Sequence, residues 1–130
     1  NVNAIAPGKR MASSMSPTII LRDGKPYLAL GTRGGSTIPT SILQVFLNVA
    51  VYRKSLQQAI AAPRYHQQDF PEEVSIERGI SPRSTVDALI SLGHAIHEID
   101  PFGDVHAILF ENGKMIAVAD PRHGGSAGGF

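Results

Sequence analysis

The pair Asp23-Gly24 stands between two apolar runs, Thr18-Ile19-Ile20-Leu21 and Tyr27-Leu28-Ala29-Leu30. An Asp-Gly step tolerates positive φ at both residues, which a two-residue turn needs if it is to match the right-handed twist of its strands. The segment is therefore predicted to be a β-hairpin. Neither run alternates strictly between apolar and polar residues, as in strands covered on both faces. A second hairpin is predicted around Asn112-Gly113, with strands at 105–110 and 115–119. Residues 73–77 and 95–99 alternate polar with apolar and read as half-buried strands.

Three helices are expected between these strands. Ser36 or Thr37 can cap the first, Pro39 suits its first turn, and Ile42, Leu43, Phe46, Leu47 and Val49 supply an apolar face up to about Tyr52. The second starts after Ser55 and ends before Pro63, because a residue preceding proline avoids the helical region. Ser81-Pro82 opens the third, which passes Val86, Leu89, Ile90 and Leu92 and stops at Gly93. Residues 64–68 are expected to be extended. Pro7-Gly8-Lys9-Arg10 reads as a turn, 13–17 as an ordered loop, and 124–130 as a glycine-rich tail, free or draped over a partner. The sum is an α+β chain: a mostly antiparallel sheet with helices packed on it.

At 130 residues this is one domain or one piece of a larger one. Charged residues make up 18%, against roughly 25% in an average soluble domain. A small free domain has much surface and needs charge to cover it, so part of this surface is expected to lie under another chain. The net charge is +1 and the arginines are scattered, which argues against a nucleic-acid or acidic-membrane surface. The absence of cysteine excludes disulfides, thiolate zinc sites and cysteine nucleophiles. No apolar run approaches the roughly 18 residues of a membrane span, and no signal-peptide pattern is visible. A start at Asn1 rather than Met suggests a processed or truncated product.

Four places could carry chemistry. In Thr32-Arg33-Gly34-Gly35-Ser36, adjacent glycines join a strand to a helix start, which suits either an oxyanion cradle or a plain tight turn. Ser13-Ser14-Met15-Ser16 offers hydroxyls for a carboxylate, or a loop stitched by serine-to-backbone bonds. The five histidines, His66, His94, His97, His106 and His123, form no metal-binding spacing; His94 and His97 should diverge, and His97 and His106 could lie on neighbouring strands. Asp120-Pro121-Arg122 suits a ligand clamp or, better, a buried Asp-Arg pair fixing the chain end, and Arg64 reads as holding an internal carboxylate at a subunit seam. Residue spacing alone names no reaction.

Taken together and in order, Pro7-Gly8-Lys9-Arg10, Ser13-Ser14-Met15-Ser16-Pro17-Thr18, Asp23-Gly24-Lys25-Pro26, Gly31 to Ser36, Ala62 to His66 and Asp120-Pro121-Arg122 resemble the γ-glutamyltransferase family. The resemblance covers nearly the whole chain. It implies an N-terminal nucleophile hydrolase, built as an αββα sandwich, whose precursor cuts itself into a large and a small subunit. The new N-terminal threonine of the small subunit is then the nucleophile and its α-amino group the base. A γ-glutamyl group, from glutathione-like compounds, passes to that threonine as an ester and on to water or an amine.

On this resemblance residues 1–130 are the C-terminal segment of the small subunit. The nucleophile segment and the large subunit lie outside them and are the implied partners, along with the small-molecule substrate; the isolated chain should be inactive. Ser13 and Ser14 match the serines that hold the substrate α-carboxylate. Gly34 and Gly35 match the pair whose amides form the oxyanion hole. No cofactor and no metal are implied. Arg33 stands where proline is usual, and Met11 where proline is common. Arg33 would add positive charge beside the acyl site, favouring an acidic or carboxylate-bearing substrate and resembling capsule-processing or acylase-like members. Two alternatives stay open: a related acylase of cephalosporin or glutaryl amides, and a non-catalytic remnant that binds a carboxylate or a partner. The family suggests a periplasmic or extracellular location; a cytoplasmic one is compatible.

Overall fold

The computed structural model describes residues 3–129. Both predicted hairpins form. Strands β1 (Thr18–Arg22) and β2 (Lys25–Gly31) pair antiparallel, as do β6 (His106–Glu111) and β7 (Lys114–Val118). Asp23 and Gly24 have φ of 52° and 73°, and Asn112 and Gly113 have 52° and 75°. Positive φ at both central residues is the type I′ geometry that Asp-Gly and Asn-Gly steps suit. β2 also pairs antiparallel with β6, giving a four-stranded sheet in the order β1-β2-β6-β7.

One face of this sheet is packed and the other is bare. Leu28, Leu30, Ala107 and Leu109 point to the packed face, where α1 (Ile38–Ala50) and α2 (Leu56–Ala61) cover them. The opposite face carries the cross-strand row Ile19, Ala29, Ile108, Ala117, and Ile19 is 72% exposed. Among the described residues no helix or strand lies over this second apolar face; Ser126, Ala127 and Gly128 of the tail line the groove along it.

On α1 the buried apolar positions are Ile38, Ile42, Val45 and Val49, spaced four, three and four apart. Leu43, expected on the apolar face, is half exposed instead, because it sits one residue off that stripe. Thr37 is the N-cap, with Pro39 in the first turn, but neither Thr37 nor Ser36 caps through its side chain. α2 starts as expected. Ser55 and Gln58 form a capping box, in which Ser55 Oγ accepts from the Gln58 N–H and Gln58 Oε1 from the Ser55 N–H. It ends at Ala62, whose ψ of 148° is the extended conformation that Pro63 imposes.

A smaller sheet orders β3 (Tyr65–His66), β4 (Val74–Glu77) and β5 (Ile96–Ile99). β3 and β4 are antiparallel; β4 and β5 are parallel, joined by α3 (Arg83–Ser91). Val86 of α3 packs on Val74 and Ile76 in a second core. Pro82, not Ser81, is the N-cap of α3: it has extended backbone angles, and the Ser81 hydroxyl is buried without a partner. Ile90 and Leu92, placed on the helix face by periodicity, are exposed. Gly93 stops the helix at φ 92°, its N–H donating to Ile90 O while the His94 N–H donates to Leu89 O. That 5→2 and 6→1 pairing is a Schellman motif. Pro7-Gly8 makes the expected turn, closed by the Lys9 N–H on Ala6 O. Residues 125–129 of the tail form no helix or strand, and Phe130 lies outside the described residues.

Candidate active-site bend

Between β2 and α1 the chain turns sharply. Gly34 has φ 139° and Gly35 φ 59°, and a short 3₁₀ turn over Gly35–Thr37 leads into the helix. Gly35 tolerates positive φ because it lacks a Cβ. At Gly34 a Cβ would in addition run into Thr37 Oγ1. Both glycines are exposed. Among the described residues neither glycine N–H donates a hydrogen bond. Their carbonyls are engaged: Gly34 O accepts from the Thr37 N–H at 3.2 Å and from Thr37 Oγ1 at 2.9 Å, and Gly35 O accepts from Ser14 Oγ at 2.6 Å.

That last bond joins the serine cluster to the diglycine bend across 21 residues of sequence. The cluster is stitched locally too. Ser13 Oγ accepts from the Met15 N–H at 3.2 Å, and Ser16 Oγ donates to Ser14 O at 3.0 Å. The local serine stitching expected of this loop is present, and the loop also lies against the bend. Ser13 is exposed and its hydroxyl proton is not used in that local bond.

Arg33 precedes the glycines and is largely exposed. Its Nε lies 3.5 Å from Asp104 Oδ2, so its charge is partly balanced. Asp104 Oδ1 also lies 3.2 Å from His106 Nε2. Nothing in the sequence marked Asp104 as a neighbour of Arg33, since 71 positions separate them; only the β2–β6 pairing brings the two together.

The other candidates sort into structural roles. Arg64, Glu77, Asp120 and Arg122 form a buried ionic cluster that ties the two sheets together. Arg64 Nη2 donates to Asp120 Oδ2 at 2.5 Å, and Arg122 bridges Glu77 through Nε and Nη2, each at 2.6 Å. Glu77 closes an alternating strand yet is fully buried, because Arg122 and the N–H groups of Arg64 and Phe102 satisfy its oxygens. Burial alone would raise the Asp120 carboxyl, but the Val105 N–H, the Arg64 guanidinium and the Arg122 N–H outweigh it and hold it below the ordinary value. Burial also lowers the Arg64 guanidinium. For Arg122 burial acts the same way, but contact with Glu77 prevails and raises it. Arg64 thus holds an internal carboxylate, and Asp120 is a buried partner of Arg122 as well.

The histidines do not converge. His66 is held between Thr40 Oγ1 and Gln68 Oε1, and His97 lies 2.9 Å from Glu73. His97 is in the three-stranded sheet and His106 in the four-stranded one, so the idea that they share neighbouring strands is wrong. No group of three or more potential metal-ligating residues occurs among the described residues, and no helix among them is long and apolar enough to cross a membrane.

Residues 1–130 match the family model described as gamma-glutamyltranspeptidase. The chain is 38% identical over 123 residues to the glutathione hydrolase proenzyme of Escherichia coli, covering 94% of this chain and 21% of that protein. It therefore spans about a fifth of that relative's length. Among solved structures, the gamma-glutamyltranspeptidase of Pseudomonas nitroreducens in complex with L-DON is 39% identical with a TM-score of 0.89, covering all of this chain and 69% of that one. The cephalosporin acylase of Bacillus halodurans is 27% identical with a TM-score of 0.81, covering 92% of this chain and 23% of that one. The α+β fold, with its mainly antiparallel sheet and helices packed on it, is that of the N-terminal nucleophile hydrolases. Matched over residues 1–130 by one family model, this polypeptide belongs to the gamma-glutamyltranspeptidase family.

Proposed function

We propose that this chain is the C-terminal segment of the small subunit of an enzyme that transfers or hydrolyses γ-glutamyl groups. In this reading it supplies the oxyanion hole and part of the carboxylate grip. The hydroxyl of a threonine on the upstream segment attacks the amide carbon of the γ-glutamyl donor. The carbonyl oxygen becomes an oxyanion, and the N–H groups of Gly34 and Gly35 donate to it. Collapse breaks the C–N bond, the leaving amine takes a proton from the base, and a threonyl ester remains. Water or an amine then attacks the ester through a second oxyanion in the same place. Each such donor contributes about 3–4 kcal/mol to the transition state.

The observation that carries this reading is the Ser14 Oγ to Gly35 O bond, which sets the serine loop and the diglycine bend side by side. Ser13 offers a free hydroxyl proton to the α-carboxylate. Ser14 can join it by rotating about its Cβ–Oγ bond. The remaining parts of the precursor, the large subunit and the upstream small-subunit segment, are the proposed partners. The bare row Ile19, Ala29, Ile108, Ala117 supports this, since an apolar sheet face calls for a second layer.

The likeness to a cephalosporin acylase, together with Arg33 beside the bend, favours acylase activity as the second reading. Turnover of γ-glutamyl-p-nitroanilide and glutaryl-p-nitroanilide by the full-length processed protein separates the two. The first reading predicts a strong preference for the γ-glutamyl compound, reduced by Ser13→Ala with Ser14→Ala through a higher KM. Preference for the glutaryl compound would move the assignment to the acylase. No turnover of either would leave a carboxylate- or partner-binding remnant.

A further inference from the structure

A peptide unit is planar, with its C=O and N–H on opposite sides, so pinning the carbonyl aims the N–H. The Gly34 N–H belongs to the Arg33–Gly34 peptide, and the Gly35 N–H to the Gly34–Gly35 peptide. Both carbonyls of these two units are pinned by threonine side chains. Thr32 Oγ1 donates to Arg33 O at 2.8 Å. Thr37 Oγ1 donates to Gly34 O at 2.9 Å, beside the backbone bond from the Thr37 N–H.

Two adjacent glycines have more backbone freedom than any other pair, and a free bend cannot serve as preorganised donors. Thr32 is itself anchored, since its Oγ1 accepts from the Asp104 N–H at 2.8 Å. Gly103, at φ 76°, makes that approach possible. A Cβ there would lie 3.3 Å from Thr32 Oγ1 and 3.0 Å from Arg64 Nη1. The 102–104 segment is fixed in turn by Arg64 Nη1 donating to Phe102 O and by Glu77 Oε1 accepting from the Phe102 N–H.

We infer that Thr32 and Thr37 are positioning residues that aim the two diglycine amides at the reacting carbonyl. Thr32 is the more important of the two. It is the one side chain found on Arg33 O among the described residues, whereas Gly34 O keeps the Thr37 N–H when the hydroxyl is lost. This rests on the oxyanion role proposed above.

The test compares Thr32→Val, Thr32→Ser, Thr37→Val and Thr37→Ser in the full-length processed protein, with γ-glutamyl-p-nitroanilide as substrate and a γ-glutamyl-like boronic acid as tetrahedral mimic. Valine keeps the shape without the hydroxyl, and serine keeps the hydroxyl. Thr32→Val is expected to lower kcat about 10- to 100-fold, with KM within about 2-fold, because misaimed donors cost transition-state stabilisation and not substrate binding. Affinity for the boronic acid should fall in parallel with kcat. Thr32→Ser should recover most of the turnover, and Thr37→Val should lose less than Thr32→Val. Equal turnover in Thr32→Val and Thr32→Ser would overturn the inference while leaving the oxyanion hole in place. So would a lower kcat joined by a higher KM and a lower melting temperature that serine does not rescue. No γ-glutamyl turnover by the unsubstituted protein would overturn the functional reading itself, and this inference with it.

Discussion

Gly35 and Asp120 show how differently two single residues can matter. Gly35 has open space around a would-be Cβ, so a substitution there meets only the strain of positive φ, roughly 1–2 kcal/mol. Gly35→Val in the full-length protein is expected to lower kcat/KM by more than about 100-fold while stability falls by only about 2 kcal/mol. Steady-state kinetics and a urea titration on the same sample check this; proportionate loss of both would count against the oxyanion role. Asp120 is a matter of folding. Asp120→Asn leaves the buried Arg64 without its counter-charge, and a loss of about 3–5 kcal/mol is expected. The depressed carboxyl also fixes the sign of the pH dependence. The stability it gives is present above the ordinary aspartate value of 3.8 and is lost as pH falls through the lower folded value. Urea midpoints of the unsubstituted protein should therefore drop below about pH 4, and Asp120→Asn should flatten that limb. Gly34, Gly35, Ser13 and Ser14 stood out by their small and hydroxyl side chains, which fitted a tight turn and a stitched loop equally well; only the family resemblance gave them roles. Asp104 was not, because a salt bridge between residues far apart in sequence leaves no local mark.

Individual elements were readable wherever a short-range rule governs them. Asp23-Gly24 and Asn112-Gly113 set their hairpins, and Ser55 with Gln58 set the start of α2. Ser55→Ala should cost about 1 kcal/mol by removing the cap, without a change in KM or kcat. Thermal midpoint and kinetics together test this; a kinetic effect would mean α2 reaches the site in a way the fold does not show. Rules that depend on tertiary partners were the ones that misled. Leu43 fits an apolar stripe by type but misses it by angle, and Glu77 occupies a polar position in an alternating strand yet is buried by two arginine-linked contacts. The parallel pairing of β4 with β5 was missed although strand, helix and strand were each placed, because the crossover helix between them, which sets the direction, was not used.

For the molecule as a whole, the low charge content and the bare sheet face say the same thing. The row of Ile19, Ala29, Ile108 and Ala117 crosses all four strands with no polar interruption. Ile108→Lys in the full-length precursor should hinder assembly, because a buried unpaired charge costs several kcal/mol; normal yield, processing and melting temperature would argue that this face stays in water. The lack of strict alternation in the β1 and β2 runs predicted apolar faces on both sides of the sheet; helices pack on one of them, and the other is the row just named. The claim on which the functional account stands is the direction of two main-chain amides. It is tested most directly by a crystal structure of the full-length processed protein carrying a boronic acid adduct on its nucleophile. The account predicts the adduct oxygen at about 2.7–3.1 Å from the nitrogens of both Gly34 and Gly35. An adduct oxygen held by other donors, with those two amides bonded inside the protein, would contradict it.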